Sequence, residues 1–242
     1  MRGTHFPKET QVSVESITMM SSMATRQVLS ELVAAYADVP GAPAVQLHSA
    51  GGVDVARRVQ SGEAVDVVVL ASAAIDRLVG AGRLRDASRV DLARSGIAVA
   101  VRSGALRPDI GSEPALMQAI LAARSLGYST GPSGSHLLGL FERWGIKDRI
   151  ASRIVQAPAG VPVATLVARG ECELGFQQLS ELLHASGVDV LGPLPGDTQN
   201  ITLFSAAVSV ACTRLPEVRS LLEFLAGSQA DAIKRHHGLE PA

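Results

Sequence analysis

Aromatic residues are scarce. Phe, Trp and Tyr make up 3% of the 242 residues, with a single Trp, so a surface that stacks nucleobases has little to be built from. An excess of either charge is missing as well: Lys and Arg total 22 against 23 Asp and Glu, a formal net charge of −1. No global field draws the chain to nucleic acid or to an acidic membrane. There are two cysteines, Cys172 and Cys212, without a CxxC pair or a His-rich companion. A thiolate metal site is therefore not expected, and both thiols are expected to be free and buried. No apolar window free of charge is long enough to cross a bilayer, and Met1 to Thr10 hold no apolar core of the kind a secretory leader needs. The expected location is the cytoplasm as the chain is written, or the periplasm if a leader has been removed. GxSxG and P-loop spacings are absent, and no carboxylate pair stands at motif-grade spacing, so hydrolase and nucleotidase chemistry have no support. Nor is there an internal repeat that would suggest a solenoid.

What the chain does have is aliphatic bulk. Hydrophobic residues make up 47%, enough for a sizeable core of small branched side chains of the sort that fill α/β layers. Val12 to Met20 alternates as a strand, and Ser21-Ser22 lead into a helical pattern through Met23, Val28, Leu29, Leu32 and Tyr36. Ala44 to His48 is a second β run. It is followed by Ser49-Ala50-Gly51-Gly52 and a helix over Val53 to Gln60. Asp66 to Leu70 is an apolar strand of the doubly covered kind, with a helix over Ser72 to Ala81. This βαβαβα order predicts a parallel sheet. Further strands are predicted at Ile97 to Val101, Leu174 to Phe176, Val188 to Leu191 and Ile201 to Ala211. Helices are predicted at Ala115 to Ala123, from Gly160-Val161-Pro162 onward, and in two parts over Pro216 to His236.

One junction stands out. A short β run ends in Tyr128-Ser129-Thr130-Gly131-Pro132-Ser133-Gly134-Ser135-His136, and a helical pattern starts at Leu137. A helix start presents unpaired N–H groups and the positive end of the macrodipole, so it can seat an anion without a cationic side chain. Gly131 and Gly134 would let backbone approach a ligand, while Ser129, Thr130, Ser133 and Ser135 offer hydroxyls. The plainer alternative is that Ser133 or Ser135 caps the helix.

The residues also carry a family likeness. Val55-Ala56-Arg57-Arg58-Val59-Gln60-Ser61-Gly62-Glu63-Ala64-Val65-Asp66-Val67-Val68-Val69 resembles the "LARQIExGAPADVF" segment of molybdate-type solute-binding proteins of ABC transporters. Pro158-Ala159-Gly160-Val161-Pro162-Val163-Ala164-Thr165-Leu166-Val167-Ala168-Arg169-Gly170-Glu171-Cys172-Glu173-Leu174-Gly175 resembles their "ALxLVERGEAxLGIVY" segment. The likeness runs from about residue 12 onward and rests on the order of the motifs more than on any one of them. It implies a type II periplasmic-binding fold: two α/β lobes, 1–99 with 205–242 and 100–204, joined by two crossing strands, with the ligand in the cleft at helix N-termini. Carried over by position, the contacts would be Ser21 or Ser22, then Ser49, Gly51 and Gly52, then the loop from Ser129 to Ser135, then Val161. Where molybdate binders have a ligand-contacting Tyr this chain has Gln178, whose amide suits an organic carboxylate at least as well as a compact oxyanion.

Some proteins resembling this family are enzymes, aconitate isomerase among them, which moves a double bond and a proton in a tricarboxylic acid. The resemblance therefore implies either a cofactor-free isomerase of an unsaturated carboxylic acid or a receptor that hands an anion to a transporter permease. His136, beside the anion loop, and then His48 are the candidate proton-transfer residues, since imidazole titrates near neutral pH. The plainer reading of either is a hydrogen-bonded structural histidine. Arg57, Arg58, Arg124 and Arg143 are read as solvated, Trp144 as core, and His236-His237 as an exposed tail.

Overall fold

Alternating and β-branched runs become strands, and the small-residue junctions after them become helix starts. The structure, a computed structural model, describes residues 16–242. Residues 12–15 of the first expected strand lie outside that range. Three βα units come first: β1 (Ile17–Ser22), β2 (Val45–Ala50) and β3 (Val67–Ala71), followed respectively by α1 (Arg26–Ala37), α2 (Gly52–Gln60) and α3 (Ser72–Gly80). A single 310 turn, Met23–Thr25, stands between β1 and α1. β2 and β3 flank β1 in parallel.

The long strand β4 (Val90–Arg102) then leaves this unit. The next units are α4 (Glu113–Ala122), β5 (Leu126–Tyr128), α5 (Pro132–Arg143), α6 (Lys147–Ile150), β6 (Ile154–Gln156), α7 (Val163–Ala168), β7 (Leu174–Gln178), α8 (Leu179–Leu182) and β8 (Val188–Pro193). The chain returns through β9 (Ile201–Val208) and ends in α9 (Leu215–Ala226), α10 (Asp231–His236) and β10 (Glu240–Pro241).

The strands form one curled sheet in the order β2-β1-β3-β9-β4-β7-β5-β6, with β8 and β10 also on β4. The parallel sheet expected of the first three βα units holds for β1 to β3, and β5 to β7 are parallel as well. β4, β8, β9 and β10 make antiparallel pairs, because a chain that crosses between two halves and returns must run against its neighbours. β4 changes partners midway: Val90 to Gly96 pair with β9, whereas Ile97 to Arg102 pair with β7 and β8. The side chain of Gln199 marks the change, its amide accepting from Ile97 N–H at 2.8 Å and donating to Ile97 C=O at 2.9 Å.

The cores divide at the same place. Ile17, Met19, Val67, Val69 and Phe204 pack with α1 and α9, and Val55, Val68, Leu70 and Ile75 fill the opposite face of that half. Ile97, Val99, Leu126, Leu137, Phe141 and Phe176 form a separate core. Each such side chain, withdrawn from water, stabilises its half by about 1.5–3 kcal/mol before entropy is counted. Cys172 and Cys212 are free and buried, as expected. Trp144 is half-buried against the second core, with its indole N–H donating to Glu113 at 2.5 Å.

Candidate functional site

The strand-to-helix junctions converge on one cavity of about 1460 Å³ between the halves. Its wall includes Ser22 at the end of β1, Gly51 and Gly52 at the start of α2, the Ser129 to Ser133 loop at the start of α5, and Gly160 to Pro162 before α7. At none of these helix starts does the cap residue's own side chain bond the backbone, although at α7 the Gln177 amide oxygen accepts from the first N–H, that of Val163. The N–H groups there are oriented by the helices and face a concave, water-accessible space, which is the arrangement an anion exploits.

Of the expected contacts, Ser22, Gly51, Gly52, Ser129, Thr130, Gly131, Ser133, Ser135, Val161 and Gln178 line the cavity. Ser133 is buried, and its hydroxyl lies 3.3 Å from that of Ser129. The cap position of α5 is occupied by Gly131, so neither Ser133 nor Ser135 acts as a cap. Five expected residues, His136 among them, sit elsewhere. Ser21 is fully buried, with its hydroxyl 2.7 Å from that of Ser49, because β1 and β2 are in register there. Ser49 and His48 line a separate, smaller hollow with Arg58, and His48 is exposed. Gly134 is buried and serves the loop itself: a Cβ there would stand 1.7 Å from the Ser129 carbonyl oxygen.

His136 does not line the cavity. Its Nε2 is 2.8 Å from the Thr198 carbonyl oxygen, which ties α5 to the segment leading into β9. The structure thus gives His136 the plainer, hydrogen-bonded role. Gln178 reaches the cavity wall, but its amide is taken up by the crossing strands. The oxygen accepts from the Thr202 hydroxyl at 2.8 Å, and the nitrogen donates to the Ser95 carbonyl at 3.0 Å.

Several wall residues were not singled out in the sequence. Arg26 and Arg77 are exposed on the wall and make no ion pair with the described residues, so each is free to meet a carboxylate bidentately. Arg57, read as solvated, lies at the rim paired with Asp54. His236 and His237 are wall residues and not a tail, and His237 is buried. Their rings and that of His184 stand 4.9 to 5.3 Å apart, and His237 Nε2 is 2.7 Å from Glu31 Oε2. Folding α10 back onto α1 is what brings them there. Among the described residues no group of His, Cys, Asp and Glu is placed to hold a metal ion.

Glu181, in the short helix α8, is half-buried on the wall. Burial pushes its carboxyl up to about 7, against the smaller opposing pull of a hydrogen bond from Gln177. Position 181 reads in sequence as an ordinary helix-face carboxylate in Leu179-Ser180-Glu181-Leu182. Only the docking of α8 against β4 and β7 takes it out of water.

A family model for bacterial extracellular solute-binding proteins matches residues 17–240. An aconitate isomerase of a Pseudomonas species is 37% identical over 237 residues, spanning 94% of this chain and 88% of that one. The periplasmic molybdate-binding protein of Azotobacter vinelandii superposes with a TM-score of 0.75 at 18% identity, covering 93% of this chain and 98% of its own. The sulfate-binding protein SubI of Mycobacterium tuberculosis gives 0.74 at 18% identity, covering 94% and 87%.

Proposed function

The chain belongs to the bacterial extracellular solute-binding protein family and has the fold of the type II periplasmic binding proteins; on that footing we propose that its cleft binds a small polycarboxylate and moves a carbon–carbon double bond within it, without a cofactor. The observation that carries this reading is the likeness to an aconitate isomerase along nearly the whole chain. The wall is suited to it. Backbone N–H groups at Gly52 and around Ser133 take one carboxylate, and Arg26 and Arg77 take others. The same donors stabilise the enolate-like charge that develops as a proton leaves carbon. The lobes we assign are the described part of 1–99 with 205–242, and 100–204, closing over the ligand about β4 and β9.

A second reading, a receptor that delivers an oxyanion or organic anion to a transporter permease, is favoured by the family and by the molybdate- and sulfate-binding neighbours. No described helix is long and apolar enough to cross a membrane. Thermal shift with cis-aconitate, citrate, molybdate and sulfate, together with NMR of cis-aconitate under the protein, separates the two. Turnover with a preference for carboxylates supports the isomerase. Tight molybdate or sulfate binding without turnover supports the receptor.

A further inference from the structure

We infer that Glu181 is the catalytic acid–base residue of this cleft, shuttling one proton between two carbons of the bound unsaturated carboxylate, and that Gln177 positions it; the inference rests on the isomerase reading above. Three carboxylates line the cavity, and two are already engaged by basic side chains: Asp54 by Arg57 and Glu31 by His237. Glu181 has no ion pair among the described residues, and its partner is a neutral amide. A carboxylate already bonded to a basic side chain is less available to take a proton, whereas one held by a neutral amide keeps its basicity and gains a fixed direction.

The amide cannot turn. Gln177 is buried at 3% exposure on β7, and its Oε1 accepts from the Val163 backbone N–H at 2.9 Å. Its Nε2 is thereby left to donate to Glu181 Oε2. Oε1 of Glu181 has no hydrogen bond among the described residues, which leaves it for the substrate. Withdrawal from water places the carboxyl at about 7, so the ionised form that takes a proton and the protonated form that returns it are both populated near neutrality.

The elements packed on α8 do not override this. β7 and the Met23–Thr25 turn have no titratable side chain. Asp189 on β8 accepts from Ser103 and Gly104. On β4, Asp91 accepts from Ser205, Arg94 donates to the Pro241 carbonyl, and Arg102 lies at the exposed far end of the strand. Arg26, Arg77, His236 and His237 also line the cavity, and His184 follows in the turn directly after α8, three residues from Glu181.

In the step itself, Glu181 takes a proton from the saturated carbon beside the double bond. The electron pair of that C–H bond becomes the new C=C, and the old π pair moves to the far vinylic carbon, its charge spreading into the carboxylate attached there. Protonated Glu181 then gives the proton to that carbon. One C–H bond breaks, one forms, and nothing is oxidised or reduced.

The test compares wild type, Glu181→Gln and Glu181→Asp with cis-aconitate in D2O, followed by proton NMR, with binding read by calorimetry. Wild type is expected to form the trans isomer and to deuterate the methylene carbon. Glu181→Gln is expected to bind within about threefold of wild type and to lose roughly 100- to 10000-fold in turnover, the span of a lost general acid–base group. Glu181→Asp is expected to keep part of the rate, with the rising acid limb of its pH profile displaced from the wild-type midpoint. Should Glu181→Gln not fold, the Glu181→Asp profile decides alone. Wild-type turnover in Glu181→Gln, or an unmoved acid limb in Glu181→Asp, overturns the role of Glu181 while leaving the isomerase reading in place. A wild-type protein that binds cis-aconitate yet neither isomerises nor deuterates it overturns both.

Discussion

Glu181 ties function to stability at the scale of a single residue. Its folded value of about 7 lies above the ordinary 4.5, so between those values the folded chain holds more proton than the unfolded one. The contribution is complete below about pH 4.5 and is lost as pH rises through about 7, so folding stability falls across that window. Glu181→Gln cannot ionise and escapes the loss. Chemical denaturation is expected to find Glu181→Gln more stable than wild type by roughly 1–2 kcal/mol at pH 8, with the gap closing toward pH 5. A gap that does not change with pH would mean that the carboxyl titrates in the folded chain as it does in water.

The loop before α5 is the element whose geometry the site most depends on, and Gly134 sets it. A methyl group there would meet the Ser129 carbonyl oxygen and crowd the ring of Tyr128, the last residue of β5, whose hydroxyl donates to Gln156. Gly134→Ala is therefore expected to cost about 1–3 kcal/mol in melting experiments, as overpacking does, and to weaken ligand binding at least tenfold by calorimetry because Thr130 to Ser133 are displaced. Unchanged affinity would remove that loop from the site. The glycine and hydroxyl content of this junction made it legible in the sequence, as did the apolar runs that became β3 and β7. What was not legible depended on long-range placement. Alternation and helical spacing cannot tell that β4 pairs with one half through Gly96 and with the other from Ile97. Nor can they tell that His136 is bound to Thr198, that Gln178 is spent between Ser95 and Thr202, or that α10 brings His237 to the wall. Glu181 was hidden for the same reason. A carboxylate gains an unusual environment only when a four-residue helix packs its stem against strands remote in sequence.

At the scale of the whole molecule the cavity is the guide. Its volume of about 1460 Å³ exceeds the roughly 300–1000 Å³ of most small-ligand pockets, so the proposed binding of one small anion by both proposed lobes requires them to approach. Among the described residues β4 and β9 are the strands that run between the two cores, and Gln178 is bonded to both. Small-angle scattering is expected to show a radius of gyration near 18 Å for the free chain, from size scaling, and a smaller value with saturating cis-aconitate. An identical radius would place the ligand on one lobe alone. The measurement that bears most directly on the whole account is a proton NMR time course of excess cis-aconitate with a catalytic amount of the wild-type protein. The account predicts steady conversion to the trans isomer over many turnovers. A cis-aconitate spectrum that stays unchanged, from a protein shown by calorimetry to bind the same molecule, would contradict it.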